Sequence, residues 1–108
     1  MTRIVVLFNL KSGTSPGDYE AWAKSTDLPV VRGLKSVDGF DVLRATGVMG
    51  SDAPAPYAYV EIIDVPDMGA FRTEVANEAM QKVAGEFRAF ADNPVFILTE
   101  SLDGESGA

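Results

Sequence analysis

The run Arg3 to Leu10 is apolar on both faces of an extended chain, with Ile4, Val6 and Phe8 on one side and Val5 and Leu7 on the other. No other feature constrains the fold as much, because such a strand needs cover on both sides. The run Val95 to Glu100 reads the same way, Val95, Ile97 and Thr99 alternating with Phe96 and Leu98. A domain holding both runs in one sheet needs one layer of cover from its helices and a second from elsewhere.

Between these runs the elements follow in a clear order. Lys11 to Gly17 is turn chemistry, and within it Ser15-Pro16-Gly17-Asp18 starts a helix: Ser15 as N-cap, Pro16 in the first position, Asp18 at the positive end of the dipole. Tyr19, Trp22, Ala23 and Thr26 share one face of it. Pro29 disfavours helical geometry at Leu28, so the helix is expected to end near Asp27, with Leu28, Val31 and Leu34 keeping core contact through a short irregular or helical turn.

The turn Val37-Asp38-Gly39 leads into a second strand, Phe40 to Thr46, with Phe40, Val42 and Arg44 on one face and Asp41, Leu43 and Ala45 on the other. A Gly- and Pro-rich loop, Gly47 to Pro56, joins it to a third strand, Tyr57 to Val65. There Ala58, Val60 and Ile62 alternate with Tyr57, Tyr59, Glu61 and Ile63. Pro66-Asp67 opens a second helical region carrying Phe71, Val75, Ala79, Val83, Phe87 and Phe90. A strict spacing of four drifts around a helix of about 3.6 residues per turn, which predicts a break near Asn77. Asp92-Asn93-Pro94 ends the helix and the fourth strand follows.

The order β-α-β-β-α-β is that of a ferredoxin-like α+β domain: a four-stranded antiparallel sheet with both helices on one face. At 108 residues the chain makes a single such domain over 1–100, with 101–108 expected as a flexible tail. Helices cover one face only, so the other is expected to pack sheet-to-sheet in a homodimer, giving a dimeric α+β barrel.

Composition removes several kinds of function. The net charge is −7 and the nine Lys and Arg are scattered, which argues against nucleic acid as a partner. There is no Cys and no His, so thiolate nucleophiles, imidazole bases and haem ligation by imidazole are excluded. Acid–base work falls to Asp, Glu, Tyr or Lys. Lys11-Ser12-Gly13 lacks the glycine spacing of a phosphate loop, no dinucleotide fingerprint is present, and Asp41, Asp52, Asp64 and Asp67 have no metal-ligand spacing. No cofactor and no metal are expected. The N-terminus has neither a signal peptide nor a membrane span, which makes a cytoplasmic protein with no membrane contact the expectation.

The segment Tyr19 to Ser36 gathers the polar and aromatic candidates. Asp27 either projects into a pocket beside Trp22, where desolvation raises its pKa toward a useful range, or is a carboxylate at a helix terminus bonded to local backbone or to Arg32. Tyr19, Trp22 and Thr26 form an aromatic wall with a hydroxyl, or plain core. Tyr57, Tyr59 and Glu61 share a strand face that lines either a pocket or the dimer interior, and Arg44 is a natural ion-pair partner for Glu61. Lys35 and Ser36 are neighbours in an extended segment and point apart, which argues against a Ser-Lys dyad.

The set Tyr19, Trp22, Thr26, Asp27, Pro29, Val31, Arg32, Leu34, Ser36 and Val37 resembles the RedY-like (HapK) family. Tyr57, Tyr59 to Glu61, Ile63 to Val65 and Asp92 to Phe96 extend the resemblance over nearly the whole chain, up to about Glu100. It implies the dimeric α+β barrel superfamily and a place in tripyrrole red-pigment (prodigiosin-type) or related natural-product biosynthesis. Many relatives resembling the EthD group carry a His two residues before the Pro at the end of the first helix; here that residue is Asp27, so only a carboxylate can act there.

The resulting expectation is a cofactor-independent tailoring enzyme acting on an aromatic or pyrrolic/indolic molecule, by proton transfer that promotes cyclisation, condensation or isomerisation. Asp27 would be the acid/base, Tyr19 or Tyr59 its hydrogen-bond partner and Trp22 a stacking surface, with Thr26, Arg32, Arg44, Tyr57 and Glu61 as binding residues. A non-catalytic carrier of such an intermediate is the second reading, and a purely structural dimeric module the third.

Overall fold

β1 (Thr2–Leu10) runs through the interior of the sheet, hydrogen-bonded on both sides. The computed structural model describes residues 1–103; of the tail expected over 101–108, residues 104–108 lie outside the described residues. After β1 come α1 (Pro16–Trp22), a π-helical turn (Ala23–Asp27), α2 (Leu28–Arg32), β2 (Gly39–Arg44), β3 (Tyr59–Val65), α3 (Met68–Glu74), α4 (Glu78–Phe90) and β4 (Ala91–Thr99). The sheet is antiparallel with order β2-β3-β1-β4, the ferredoxin-like arrangement. No helix among the described residues is long and apolar enough to cross a membrane.

Residues opposite one another in an antiparallel ladder share a face. Val6 lies opposite Glu61 and Phe96, Ile63 opposite Ile4 and Phe40, and Tyr59 opposite Phe8 and Arg44, which together make the face beneath the helices. The other face carries Val5, Leu7, Leu43, Val60, Ile62, Val95 and Ile97, all partly or largely exposed. The strand apolar on both sides thus has one side covered and one open within a single chain. The aromatic and carboxyl face of β3 looks toward the helices, deciding a choice that alternation by itself leaves open.

Phe8 is the centre of the helix-side core. It is fully buried, stacks with Tyr59 at 5.5 Å and meets Tyr19 and Phe87 edge-on at 5.5 and 4.9 Å. Side-chain bonds tie the helices down around it: Trp22 Nε1 donates to Glu86 at 3.0 Å, linking α1 to α4. At the end of α3, Glu74 accepts from the backbone N–H of Lys35 and Ser36 and from the Ser36 hydroxyl.

Three local expectations are corrected. Leu28 is helical in spite of Pro29: the π-helical turn ends at Asp27 as the boundary was expected to, and the short helical turn after it is α2, in which Pro29 sits in the first turn, where a missing N–H costs least. The fourth strand begins at Ala91, with Asp92-Asn93-Pro94 inside it. Asn93 takes φ 47°, a conformation that Asn tolerates better than most residues, and the register with β1 shifts between Leu7 and Asn9. Pro94 is admissible because β4 is an edge strand. Ala79, expected on the buried face, is exposed, and Met80 takes its place toward the core. The break near Asn77 is present, with Asn77 capping α4 through its side chain to Met80 N–H.

Candidate active site

Tyr19, Ala23, Asp27 and Val31 are all buried, a row spaced by four along the first helical segment. In a straight α-helix such a row drifts by about 40° per step. The π-helical turn takes up the drift: Leu28 N–H bonds to Ala23 O, five residues back, which holds more residues in the turn and keeps Asp27 on the face toward the sheet. Asp27 retains only 5% exposure.

Across from it stands Glu61, 4% exposed, in the middle of β3 between Val6 and Val42 on the neighbouring strands. Two carboxyls thus meet inside the core, and among the described residues no Lys or Arg pairs with either. Asp27 Oδ2 finds no donor, since ionised carboxylates only accept. The pair is satisfied when one member keeps its proton and bonds to the other. Burial pushes Asp27 up to about 6, and its hydrogen bond with Glu61 opposes the rise. Glu61 is pushed up to about 8 by burial first, then by the charge of Asp27 and its bond to Asp27. Between these values Glu61 is the acid and Asp27 the base of one shared-proton pair. Tyr19 adds one donor, its hydroxyl 3.4 Å from Glu61 Oε2, and burial with the nearby Glu61 charge pushes that phenol above its ordinary value.

The pair lies on the wall of a cavity of about 210 Å³ between the sheet and the helices. Its other walls are apolar: Phe40, Ile63 and Phe96 from the sheet, Val31 from α2, Phe71 from α3, Val75 from the link to α4, and Met80, Val83, Ala84 and Phe87 from α4. Arg88 joins this lining from the last turn of α4. Such a site can hold a flat apolar molecule and move a proton to or from it.

The remaining sequence candidates stand elsewhere. Tyr59 is buried, but its hydroxyl donates to Glu20 at 2.7 Å, and burial and that bond push it up to about 12. The expected Arg44–Glu61 ion pair is absent: the register sets Val42 opposite Glu61, while Arg44, opposite Tyr59, donates to Glu20 at 2.7 Å. These residues flank a separate, polar cavity together with Lys24, Leu28 and Val42. Trp22 is half-buried against Phe90 and Glu86, outside the lining of the carboxyl cavity. Thr26 is bonded to Ser25, and Arg32 to Phe40 O and Asp41 instead of to Asp27. Tyr57 precedes β3 and is also outside that lining. Most of the cavity wall was missed from sequence because Phe40 and Phe96 carry the strand alternation, and Phe71 and Phe87 the helical spacing, of any core residue.

Fold and site together define a ferredoxin-like α+β domain with a buried carboxyl pair in an apolar cavity. The chain belongs to the family described as REDY-like protein HapK, whose model matches residues 2–102. The crystal structure of HapK from Hahella chejuensis is 28% identical, with a TM-score of 0.75 over 94% of this chain and 93% of that one. SnoaB from Streptomyces nogalater, a cofactor-independent oxygenase, shares the fold at 19% identity, TM-score 0.72, over 94% and 92% of the two chains. A dimeric ferredoxin-like protein of unknown function from Thermobifida fusca YX shares it at 14% identity, TM-score 0.68, over 93% and 90%. No curated protein shows a significant match to the sequence.

Proposed function

We propose that this chain is a tailoring enzyme of natural-product biosynthesis that moves a proton on an aromatic or pyrrolic/indolic substrate, promoting cyclisation, condensation or isomerisation. The observation that carries the reading is the Asp27–Glu61 pair: two buried carboxyls on an apolar cavity, with no cation paired to either among the described residues. Holding two acids there costs stability, and their unequal environments give an acid and a base near neutral pH. Asp27 accepts the proton from substrate, Glu61 returns one, and Tyr19 holds Glu61 in place. The protein works as a cytoplasmic homodimer through the open sheet face, a reading supported by the apolar residues left exposed there and by the dimeric relative of the same fold.

The test is turnover against binding. With a panel of pyrrolic and indolic intermediates, followed by absorbance and by calorimetry, Asp27→Asn and Glu61→Gln are expected to keep ligand and lose turnover. Equal turnover in both variants and the wild type would remove the assignment. Binding by all three with turnover by none would instead make the protein a carrier.

A further inference from the structure

Arg88 stands apart from the other residues of the cavity. Apart from the Asp27–Glu61 pair the lining is apolar, and Arg88 is the one cation in it. It is exposed, in the last turn of α4, and among the described residues it has no carboxylate partner. Arg3 is paired with Asp64, Arg32 with Asp41 and Arg44 with Glu20, while Arg72 in α3, also without a carboxylate partner among the described residues, lies outside the cavity lining. Glu86, two positions before Arg88, is bonded to Trp22.

We infer that Arg88 selects a substrate with an anionic group, a planar one- or two-ring carboxylate whose ring enters the cavity while its charge stays on the guanidinium. Size supports the ring count. The cavity, about 210 Å³, exceeds the ~150 Å³ that takes up benzene and falls below the ~300 Å³ at which drug-sized pockets begin. Charge supports the anion. A singly protonated carboxyl pair carries one negative charge and repels an anionic ligand, so binding one requires a compensating cation, and a guanidinium matches a carboxylate through two parallel hydrogen bonds. Such a ligand would be oriented, with its anionic end at Arg88 and its ring toward Asp27 and Glu61. Arg88 is therefore a specificity-determining residue for the reaction proposed above, and the inference rests on that reading of the cavity as the substrate site.

The experiment compares indole-2-carboxylate with indole-2-carboxamide by calorimetry on the full chain, in the wild type, Arg88→Gln and Arg88→Lys. The wild type is expected to bind the carboxylate about tenfold more tightly than the amide, a difference typical of one charge-assisted interaction. Arg88→Gln is expected to abolish the preference by weakening carboxylate binding far more than amide binding, and Arg88→Lys to keep part of it. Equal affinities in the wild type, a preference that survives Arg88→Gln, or no binding of either probe would overturn the inference. The underlying reading fails by a different result: an Arg88-dependent preference for the carboxylate together with turnover that survives Asp27→Asn and Glu61→Gln.

Discussion

The phenol of Tyr19 donates to Glu61 across 3.4 Å, joining the first helix to the middle of β3 beneath a roof of aromatic rings. That bond favours the charged form of Glu61 and offsets part of the rise caused by burial and by Asp27. Tyr19→Phe therefore raises Glu61 above its present value of about 8. Carbon-detected titration of the Glu61 carboxyl measures the shift directly. Turnover should be bell-shaped, rising as the pair loses its first proton and falling as it loses its second, with the alkaline limb moving to higher pH in the variant. The lost hydrogen bond costs about 1 kcal/mol of stability.

Stability itself should fall as pH rises through the neutral range. Asp27 and Glu61 are raised above their ordinary values of 3.8 and 4.5, so the folded chain holds more protons than the unfolded one until the folded values are passed. Folding is then favoured below pH 4 relative to pH 9 as far as this pair is concerned. Glu20 and Glu74 act in the opposite sense, being held below the usual carboxylate range, Glu20 by Tyr59 and Arg44 and Glu74 by Ser36 and Lys35, and their contribution is lost in acid. Comparing Glu61→Gln with the wild type cancels those terms. Urea denaturation should show the variant gaining on the wild type between about pH 4.5 and about pH 8, by on the order of a few kcal/mol at the alkaline end. A constant difference across that range would mean that Glu61 does not keep its proton in the fold.

Trp22→Phe separates packing from catalysis. Trp22 donates to Glu86 and rests on Phe90 at 5.4 Å, outside the carboxyl cavity. The substitution keeps an aromatic ring and removes the donor, so chemical denaturation should show a loss of about 1 kcal/mol. Turnover and ligand affinity should be unchanged. A fall in affinity would return Trp22 to the substrate wall.

How much of this could be read from sequence follows from what each signal encodes. Alternation in β1 and β3 gave the strands and their two faces, since side-chain direction in a strand depends only on parity. The sheet order and the helical layer followed from element order. The helical geometry of Leu28 was hidden, because a proline rule describes α-helical geometry and the chain uses a wider turn there. The spacing of Tyr19, Ala23, Asp27 and Val31 by four was the available clue. The same spacing of four in the second helical region did give the break at Asn77, where the structure adds the side-chain cap of α4. Asp27 was legible as a candidate, but its partner was not. Glu61 looked like half of an ion pair with Arg44, since both lie on the helix side of adjacent strands, and only the register shows that Val42 stands opposite Glu61 and Arg44 opposite Tyr59.

The open sheet face makes the last prediction. Leu43, Val95 and Ile97 are 48%, 42% and 40% exposed, and Val5, Leu7, Val60 and Ile62 lie between them on the same side. A contiguous apolar surface of this kind on a small domain is covered in solution or drives aggregation. A two-fold copy of the same face covers it with identical residues and closes the assembly. Light scattering at micromolar concentration should give twice the 11.5 kDa of one chain. Val60 sits between Leu7 and Leu43 in the middle of the face, so Val60→Asp would bury an unpaired carboxylate from each copy in the proposed interface. That variant should elute at the mass of one chain while far-UV circular dichroism shows the helices and sheet retained. A wild type of monomeric mass would remove the dimer. A dimer that survives Val60→Asp would place the contact elsewhere, with the β4 edge and its exposed Phe96 and Leu98 as the next surface to test.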